Sequence, residues 1–502
     1  MFKKILIANR GEIAIRVARA CRELGIATVG VYSTVDKNSY HLRFMDDALW
    51  IGDSQAQASY LNIEKIIDVA KKTSAQAIHP GYGFLAENAQ FAKACEDAGV
   101  IFIGPSSKAL ALVGDKVASR NTVKKVGVPI IPGMLGISKE MRNFKGMAKK
   151  IGYPVIVKAS LGGGGKGMRI VYSEEELESC VAAGRREAKS SFGDESVYLE
   201  RYIDKPRHIE FQVLRDHYGN VVHLYERECS IQRRHQKIIE ETPSQALNDT
   251  LRATMGEAAK KVIEAAGYTN AGTVEFLLDA DRNFYFLEVN ARVQVEHPIT
   301  EMVTGIDLVR HQIMIAAGEK LGFKQDEISQ QGHAIEARIY AEDPANNFLP
   351  SPGEILSLIE PSGPGIRVDS GIFQGWNVPP HYDPILSKVI VWAETRSMSI
   401  ARMSNALKNY IILGIKTNIG FLKRIMDTKR FIDGKYHTHF IDENEGDLIP
   451  KHDDINTALI AVALIASEKK KVRGLKSNKQ TAPTQMGTTP WQELGHWEIC
   501  GR

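Results

Sequence analysis

Residues 271–300, AGTVEFLLDADRNFYFLEVNARVQVEHPIT, constrain this chain more tightly than any other stretch of it. Two apolar runs flank Asp281 and Arg282. If they pair as a hairpin about that turn, partners share one sum of residue numbers, and Glu275 falls opposite Glu288. Directly opposed like charges destabilise a sheet by roughly 0.2–1 kcal/mol unless something positive lies between them. A divalent cation is the simplest such group, and two carboxylates with an amide oxygen suit Mg²⁺ or Mn²⁺ shared with phosphate oxygens. For as long as the chain stays extended, Glu288, Asn290, Arg292, Gln294 and Glu296 share one side. Phe276, Leu278, Phe284, Phe286 and Val289 around the acids point to a packed sheet rather than a wet edge.

The chain opens as strand (KILIA), helix (GEIAIRVARACRELG) and strand (ATVGVYS), a crossover onto a parallel sheet. Its first turn is Asn9-Arg10-Gly11-Glu12, so the GxGxxG of a dinucleotide fold is missing. In AIHPGYGFLAEN, Gly81 and Gly83 form a tight loop after a second strand, either facing a ligand or simply turning the chain. The stretch GDKVASRNTVKKVGVPIIPG is a helix ending in a Gly/Pro connector, a domain edge. Next, YPVIVKASLGGGGKGMRIVYS carries Lys158 into four glycines and leaves by another strand after Lys166 and Met168. Consecutive glycine N–H groups curl readily around an anion, but no GK[ST] helix follows, so this phosphate-covering loop is not a Walker A motif.

Residues 197–214 read as an extended segment, a connector and a central strand. In YERECSIQRRHQKIIEETPS, Arg227, Arg233, Arg234, His235 and Lys237 crowd beside acids at a strand end, which suggests anion handling. Cys229 reads as a packing thiol. From 331 onward Glu336 and Arg338 share parity on a strand, short strands run to about 395, and SIARMSNALKNYIIL forms a helix. That pattern describes a separate α+β domain with antiparallel strands. After about 446, NTALIAVALIASEKKKV reads as an amphipathic helix followed by a linker. Trp491 and Trp497 end the chain as a docking element or as packing onto its own surface.

A length of 502 residues suits two to four domains, and 43% hydrophobic with 25% charged residues is ordinary for a soluble protein. With 64 basic and 60 acidic residues the net charge is only +4, giving no global pull toward nucleic acid or membrane. Cys21, Cys95, Cys180, Cys229 and Cys500 are scattered without a CxxC pair, as in reduced intracellular proteins. With no signal peptide and no run of apolar residues long enough to span a bilayer, a cytoplasmic location is expected.

Taken in order, KILIANRGEIA, HPGYGFLAEN, GDK, VKASLGGGGKGM, ERECSIQRRHQK, FLEVNARVQVEHPITEMVTGIDLV, ARIYAEDP, and YDPILSK through GIKTNIGFL resemble the biotin carboxylase family of ATP-grasp enzymes over about residues 1–445. The resemblance implies a mixed α/β and α+β fold. Residues 1–114 would form an N-terminal parallel α/β domain and 115–330 an ATP-grasp domain with a mobile glycine-loop lid at about 130–203. Residues 331–446 would form a C-terminal α+β domain, and 447–502 an extension that docks a partner.

It implies ATP bound by Lys116, Lys158, Gly163, Gly164, Gly165, Met168, His208, Gln232, His235, Lys237, Glu275 and Glu288, with Glu200, Arg201 and Ile203 at the adenine hinge. Two Mg²⁺ or Mn²⁺ sites would use Glu275, Glu288 and Asn290. Bicarbonate and biotin would meet Arg292, Gln294, Val295, Glu296, Arg338 and Tyr82, with Glu296 as base, Arg338 stabilising the biotin enolate, and Lys237 neutralising the transferred phosphoryl group. The Met-Lys-Met attachment motif is missing, so biotin would arrive on a carrier subunit. A homodimer is also expected, and so is a carboxyltransferase subunit. The final acceptor implied is an acyl-CoA such as acetyl-CoA or propionyl-CoA. Membership of a two-subunit pyruvate carboxylase is the alternative, and another ATP-grasp ligase is further off.

Overall fold

The computed structural model describes residues 1–160 and 168–449. Gly163, Gly164, Gly165 and Lys166 of the glycine loop lie outside them, as do Cys500, Trp491, Trp497 and the helix and linker expected beyond residue 450.

Five parallel strands form the first sheet, in the spatial order Asp47–Gly52, Ala27–Ser33, Lys4–Ile7, Ala77–His79, Ile101–Phe102. Helices cover both faces, so Ile5, Leu6, Ile7, Val29, Val31 and Ile78 are all buried, as the unbroken apolar runs require. Strand order reverses between Lys4–Ile7 and Ala77–His79, and open sheets of this kind bind ligands beyond the carboxyl ends at such a reversal.

The second sheet has eight strands, each pair antiparallel, in the order Phe284–Asn290, Asn270–Leu278, Arg207–Arg215, Val221–Arg233, Gln236–Thr242, His333–Tyr340, Ile385–Ala393, Ile366–Ser370. The sequence pattern places a boundary at 331, but the sheet crosses it unbroken, because Gln236–Thr242 pairs directly with His333–Tyr340. A third sheet of Arg169–Val171, Val155–Ala159 and Val197–Arg201 packs Val155, Val157 and Leu199 against Leu177 and Val181 of helix Glu174–Phe192.

The hairpin of residues 270–290 forms, with one difference from its expected register. Leu278 pairs with Phe284 and Phe276 with Phe286, one residue out of step with a turn centred between Asp281 and Arg282. A bulge at unpaired Leu287 restores the register, and Glu275 meets Glu288 after all. The extended run stops at Asn290, so the shared side expected through Glu296 does not persist, and Glu296 is the N-cap of helix His297–Thr304.

Two element ends differ from the sequence reading. The helix expected through Leu413 ends at Asn409, and β-branched Ile411 and Ile412 open a strand that pairs with Ser357–Ile359. Helix Phe440–Leu448 runs past residue 446 with Leu448 fully buried. No helix among the described residues is long and apolar enough to cross a membrane.

Candidate active site

A row of ionisable groups crosses four adjacent strands of the large sheet. Glu288 opposes Glu275, Glu275 opposes Glu210, and Glu210 opposes Arg227. Three acids side by side demand positive charge. In the protein alone that charge comes from side chains. Lys237 Nζ donates to Glu210 (2.5 Å), to Glu275 (2.8 Å) and to Glu296 (2.7 Å). Arg227, fully buried, donates through Nε to Glu210 at 2.6 Å.

Burial alone would lower the Lys237 pKa, but Glu210, Glu275 and Glu296 outweigh it and hold the ammonium well above its ordinary range. Burial pushes Glu296 upward and is overcome by Lys237, Arg338 and Arg227, so Glu296 is firmly ionised. Glu275 is likewise held low, where Lys237 and His208 outweigh burial.

These groups open on a cavity of about 1060 Å³ at the carboxyl ends of the two strands flanking the order reversal. Asn9–Ile13 and Tyr82–Phe84 line it, which puts the HPGYGF loop on the cavity. Lys116, Lys158, Met168, Arg201, Ile203, His208, Gln232 and His235 also line it, His208 with Nε2 3.2 Å from Glu275. His235 sits with Arg234 in a two-residue turn, both at positive φ, which projects it to the rim. Lys237, Glu275, Glu288, Asn290, Arg292, Gln294, Val295, Glu296 and Arg338 line it as well.

Glu200 alone of the described candidates does not line the cavity. It is buried, in an ion pair with Arg120 and 2.7 Å from Lys158 Nζ. Burial favours its neutral form, but Lys158 and Arg120 prevail and keep it ionised.

Around Glu296 the contacts are dense. Arg338 Nη2 donates to Glu296 Oε2 at 2.9 Å. Arg292 Nε is 3.1 Å from Glu87, and its Nη2 donates to Asn290 Oδ1 at 2.9 Å. Gln294 Nε2 donates to Glu275 at 3.0 Å. Lys388 Nζ, fully buried, donates to the Val295 carbonyl at 2.5 Å and lies 3.2 Å from Glu12, which in turn accepts from the Tyr82 hydroxyl.

Two sequence expectations fail here. Arg227 and Arg233 do not handle an external anion, since Arg227 lies in the core and Arg233 is held by Glu342 at 2.8 Å. Glu210, Glu240, Glu12 and Lys388 are structural members of the site that sequence reasoning missed, and Arg227 is one that it misread. A signal for Glu210 existed, because His208, Glu210 and Gln212 share one face of a strand whose other face carries Ile209, Phe211 and Val213. Cys229 is buried and its pKa raised by burial, but instead of packing in an apolar cluster its Sγ donates to Glu296 Oε1 at 4.0 Å.

A hard divalent cation fits the hairpin wall. Glu288 carries a one-third-exposed carboxylate whose nearest cation is Lys116 at 3.5 Å, and it faces Glu275 beside the Asn290 amide oxygen. The tightest three-ligand clusters among the described residues, His208–Glu210–Glu275 and Glu210–Cys229–Glu296, lie deeper and are already bridged by Lys237 and Arg227.

Comparisons with known proteins identify the family. Residues 1–110 match the family model for the biotin carboxylase N-terminal domain. Residues 115–324 match that for the ATP binding domain of the carbamoyl-phosphate synthase L chain, and 336–443 that for the biotin carboxylase C-terminal domain. The chain is 52% identical over 442 residues to a biotin carboxylase of Nostoc sp., covering 88% of this chain and 99% of that one. It is 54% identical over 444 residues to a pyruvate carboxylase subunit of Methanothermobacter thermautotrophicus, covering 88% and 90%. Among solved structures, the biotin carboxylase domain dimer of Hydrogenobacter thermophilus 2-oxoglutarate carboxylase, with MgADP, ADP and bicarbonate, superposes with a TM-score of 0.88 at 49% identity. That alignment covers 90% of this chain and all of that one.

Proposed function

The chain belongs to the biotin carboxylase family, and from that premise we propose how its own residues make it an ATP-dependent carboxylase. ATP and bicarbonate are its substrates, and N1 of biotin on a carrier protein receives the carboxyl group. The carrying observation is the convergence of Lys237, Glu296 and Arg338 on one chamber.

Lys116, Lys158, His208, Gln232 and His235 bind the nucleotide together with the glycine loop, and residues 200–203 form its hinge. Entry of the phosphates redirects Lys237 from its three carboxylates to the transferring phosphoryl group. Glu296 thereby loses its strongest cation and gains basicity when a base is needed. Bicarbonate, cradled by Arg292, Gln294 and the Val295 backbone, gives its proton to Glu296, and its oxygen displaces ADP from the γ-phosphorus. The carboxyphosphate so formed breaks to CO₂ and phosphate, and phosphate takes the N1 proton. Arg338 stabilises the resulting ureido anion beside Tyr82, and N1 attacks CO₂. Mg²⁺ or Mn²⁺ held by Glu275, Glu288 and Asn290 would supply charge neutralisation on the phosphates.

Partners follow from chemistry. A carrier subunit must bring biotin and a carboxyltransferase subunit must discharge it, and the dimeric Hydrogenobacter structure supports a homodimer. We place the chain in an acyl-CoA carboxylase of the cytoplasm. The Methanothermobacter relative supports the alternative, membership of a pyruvate carboxylase.

The decisive experiment measures phosphate release from MgATP with bicarbonate, with and without free biotin. Turnover that requires both supports the reading, and bicarbonate-independent hydrolysis indifferent to biotin rejects it.

A further inference from the structure

Glu240 on Gln236–Thr242 and Glu336 on His333–Tyr340 are directly opposed partners of an antiparallel pair. On their strand Glu336 and Arg338 share a face, and Arg338 opposes Lys388 on the next. Both glutamates are fully buried, and none of their four carboxylate oxygens accepts a hydrogen bond. The two differ in one respect. Glu240 Oε1 lies 2.7 Å from Arg338 Nε, whereas no cation pairs with Glu336 among the described residues.

An ionised carboxylate buried without a partner is so costly that the group takes a proton instead, and a second carboxylate alongside adds repulsion. Glu240 has its countercharge. Glu336 has none within ion-pair reach.

We propose that Glu336 stands as a neutral carboxylic acid beside the Glu240 carboxylate, and that together they are a positioning pair for Arg338. Glu240 holds the guanidinium from its Nε side, so that Nη2 is presented to Glu296 and the chamber. The neutral Glu336 keeps a second negative charge from drawing Arg338 away. This deepens the biotin carboxylation proposed above and rests on it for the role of Arg338.

The surrounding charges agree. Burial pushes Glu336 well above the usual carboxylate range, Lys388 pulls it back, and Glu240 adds to the rise. Burial raises Glu240 as well, but Arg338 Nε at 2.7 Å pulls it back, so of the two Glu240 is the one that ionises first. The other charges acting on the pair are Glu296, Lys237 and Glu210, and helix His297–Thr304, which carries His297 and Glu301, packs against both strands. Burial holds His297 neutral, so it adds no cation.

The test is steady-state kinetics of the full chain with MgATP, bicarbonate and free biotin, from neutral to alkaline pH. Wild-type kcat should fall on an alkaline limb as Glu336 ionises. Glu336→Gln, permanently neutral, should retain kcat at neutral pH and lose that limb. Glu240→Gln should lower kcat by up to on the order of 10²-fold, as small misplacements of a reacting group do, with the KM for ATP unchanged. A Glu336→Gln profile that superimposes on the wild type, or wild-type kcat in Glu240→Gln, overturns the proposal.

Infrared spectra of the full chain at neutral pH give a second readout that does not depend on turnover. A protonated-carboxyl C=O band that shifts in Glu240→Gln supports the pair, and no such band overturns it even if Glu336→Gln fails to fold. Wild-type turnover indifferent to biotin would instead reject the function, leaving the infrared result to judge the pair.

Discussion

Lys237 Nζ lies 2.7 Å from Glu296 Oε1, so in the protein alone the proposed base is neutralised by the cation proposed to meet the phosphoryl group. The two roles exclude each other until substrate arrives, which couples activation of the base to occupancy of the phosphate site.

Lys237→Met tests that coupling from the stability side. Removing one ammonium leaves Glu210, Glu275 and Glu296 facing one another, and breaking a buried charge pair typically costs about 3–5 kcal/mol. Urea unfolding without ligands should show a loss of that order, together with abolished phosphate release. Wild-type stability in the variant would mean that the carboxylates do not depend on Lys237.

Arg338→Ala and Glu296→Gln should each cut biotin carboxylation by on the order of 10² or more, as loss of an oxyanion donor or a general base does. The KM for ATP should move far less than kcat, because neither Arg338 nor Glu296 is among the groups assigned to the nucleotide. Near-normal carboxylation in both would remove them from the mechanism.

Short-range pattern made the ends of the site legible, and long-range register hid its middle. Alternation around Asp281 was enough to bring Glu275 to Glu288, although the bulge at Leu287 is invisible in a run where every residue from Phe284 to Leu287 is apolar. The continuity of the large sheet was not legible, because Gln236–Thr242 and His333–Tyr340 meet only after a helix, a hairpin and two further helices intervene. Arg227 and Lys388 were misread or missed for a related reason. A buried cation looks like a surface one until the acids that neutralise it, here Glu210 and Glu12, are brought from other strands and helices.

Acid should weaken the fold through Glu241. This buried carboxylate accepts from His333 at 2.7 Å and from Arg396 Nε at 2.7 Å, and it also bonds the Tyr436 hydroxyl. Burial would raise its pKa, but His333 and Arg396 prevail and hold it at about 2, against 4.5 for a free glutamate. A depressed carboxylate contributes stability above its unfolded pKa and loses it as pH falls through the folded one. The contribution, roughly 3 kcal/mol, should therefore vanish between about pH 4.5 and 2. Glu241→Gln should be less stable than wild type at neutral pH, and the gap in unfolding free energy should close across that window. A gap that stays constant with pH would show that Glu241 is not the titrating group.

Glu288→Gln separates metal binding from sheet repulsion. The substitution keeps the shape of the side chain and removes one of two opposed formal charges on the hairpin, so the Mg²⁺ concentration needed for half-maximal activity should rise strongly. With metal chelated, the same change relieves the repulsion between Glu275 and Glu288, which should leave the melting temperature unchanged or slightly higher. Lys116 at 3.5 Å, and the one-third exposure of Glu288, keep that relief small. The two readouts move in opposite directions only if Glu288 serves the cation, and an unchanged Mg²⁺ requirement would return it to the role of an ordinary strand residue.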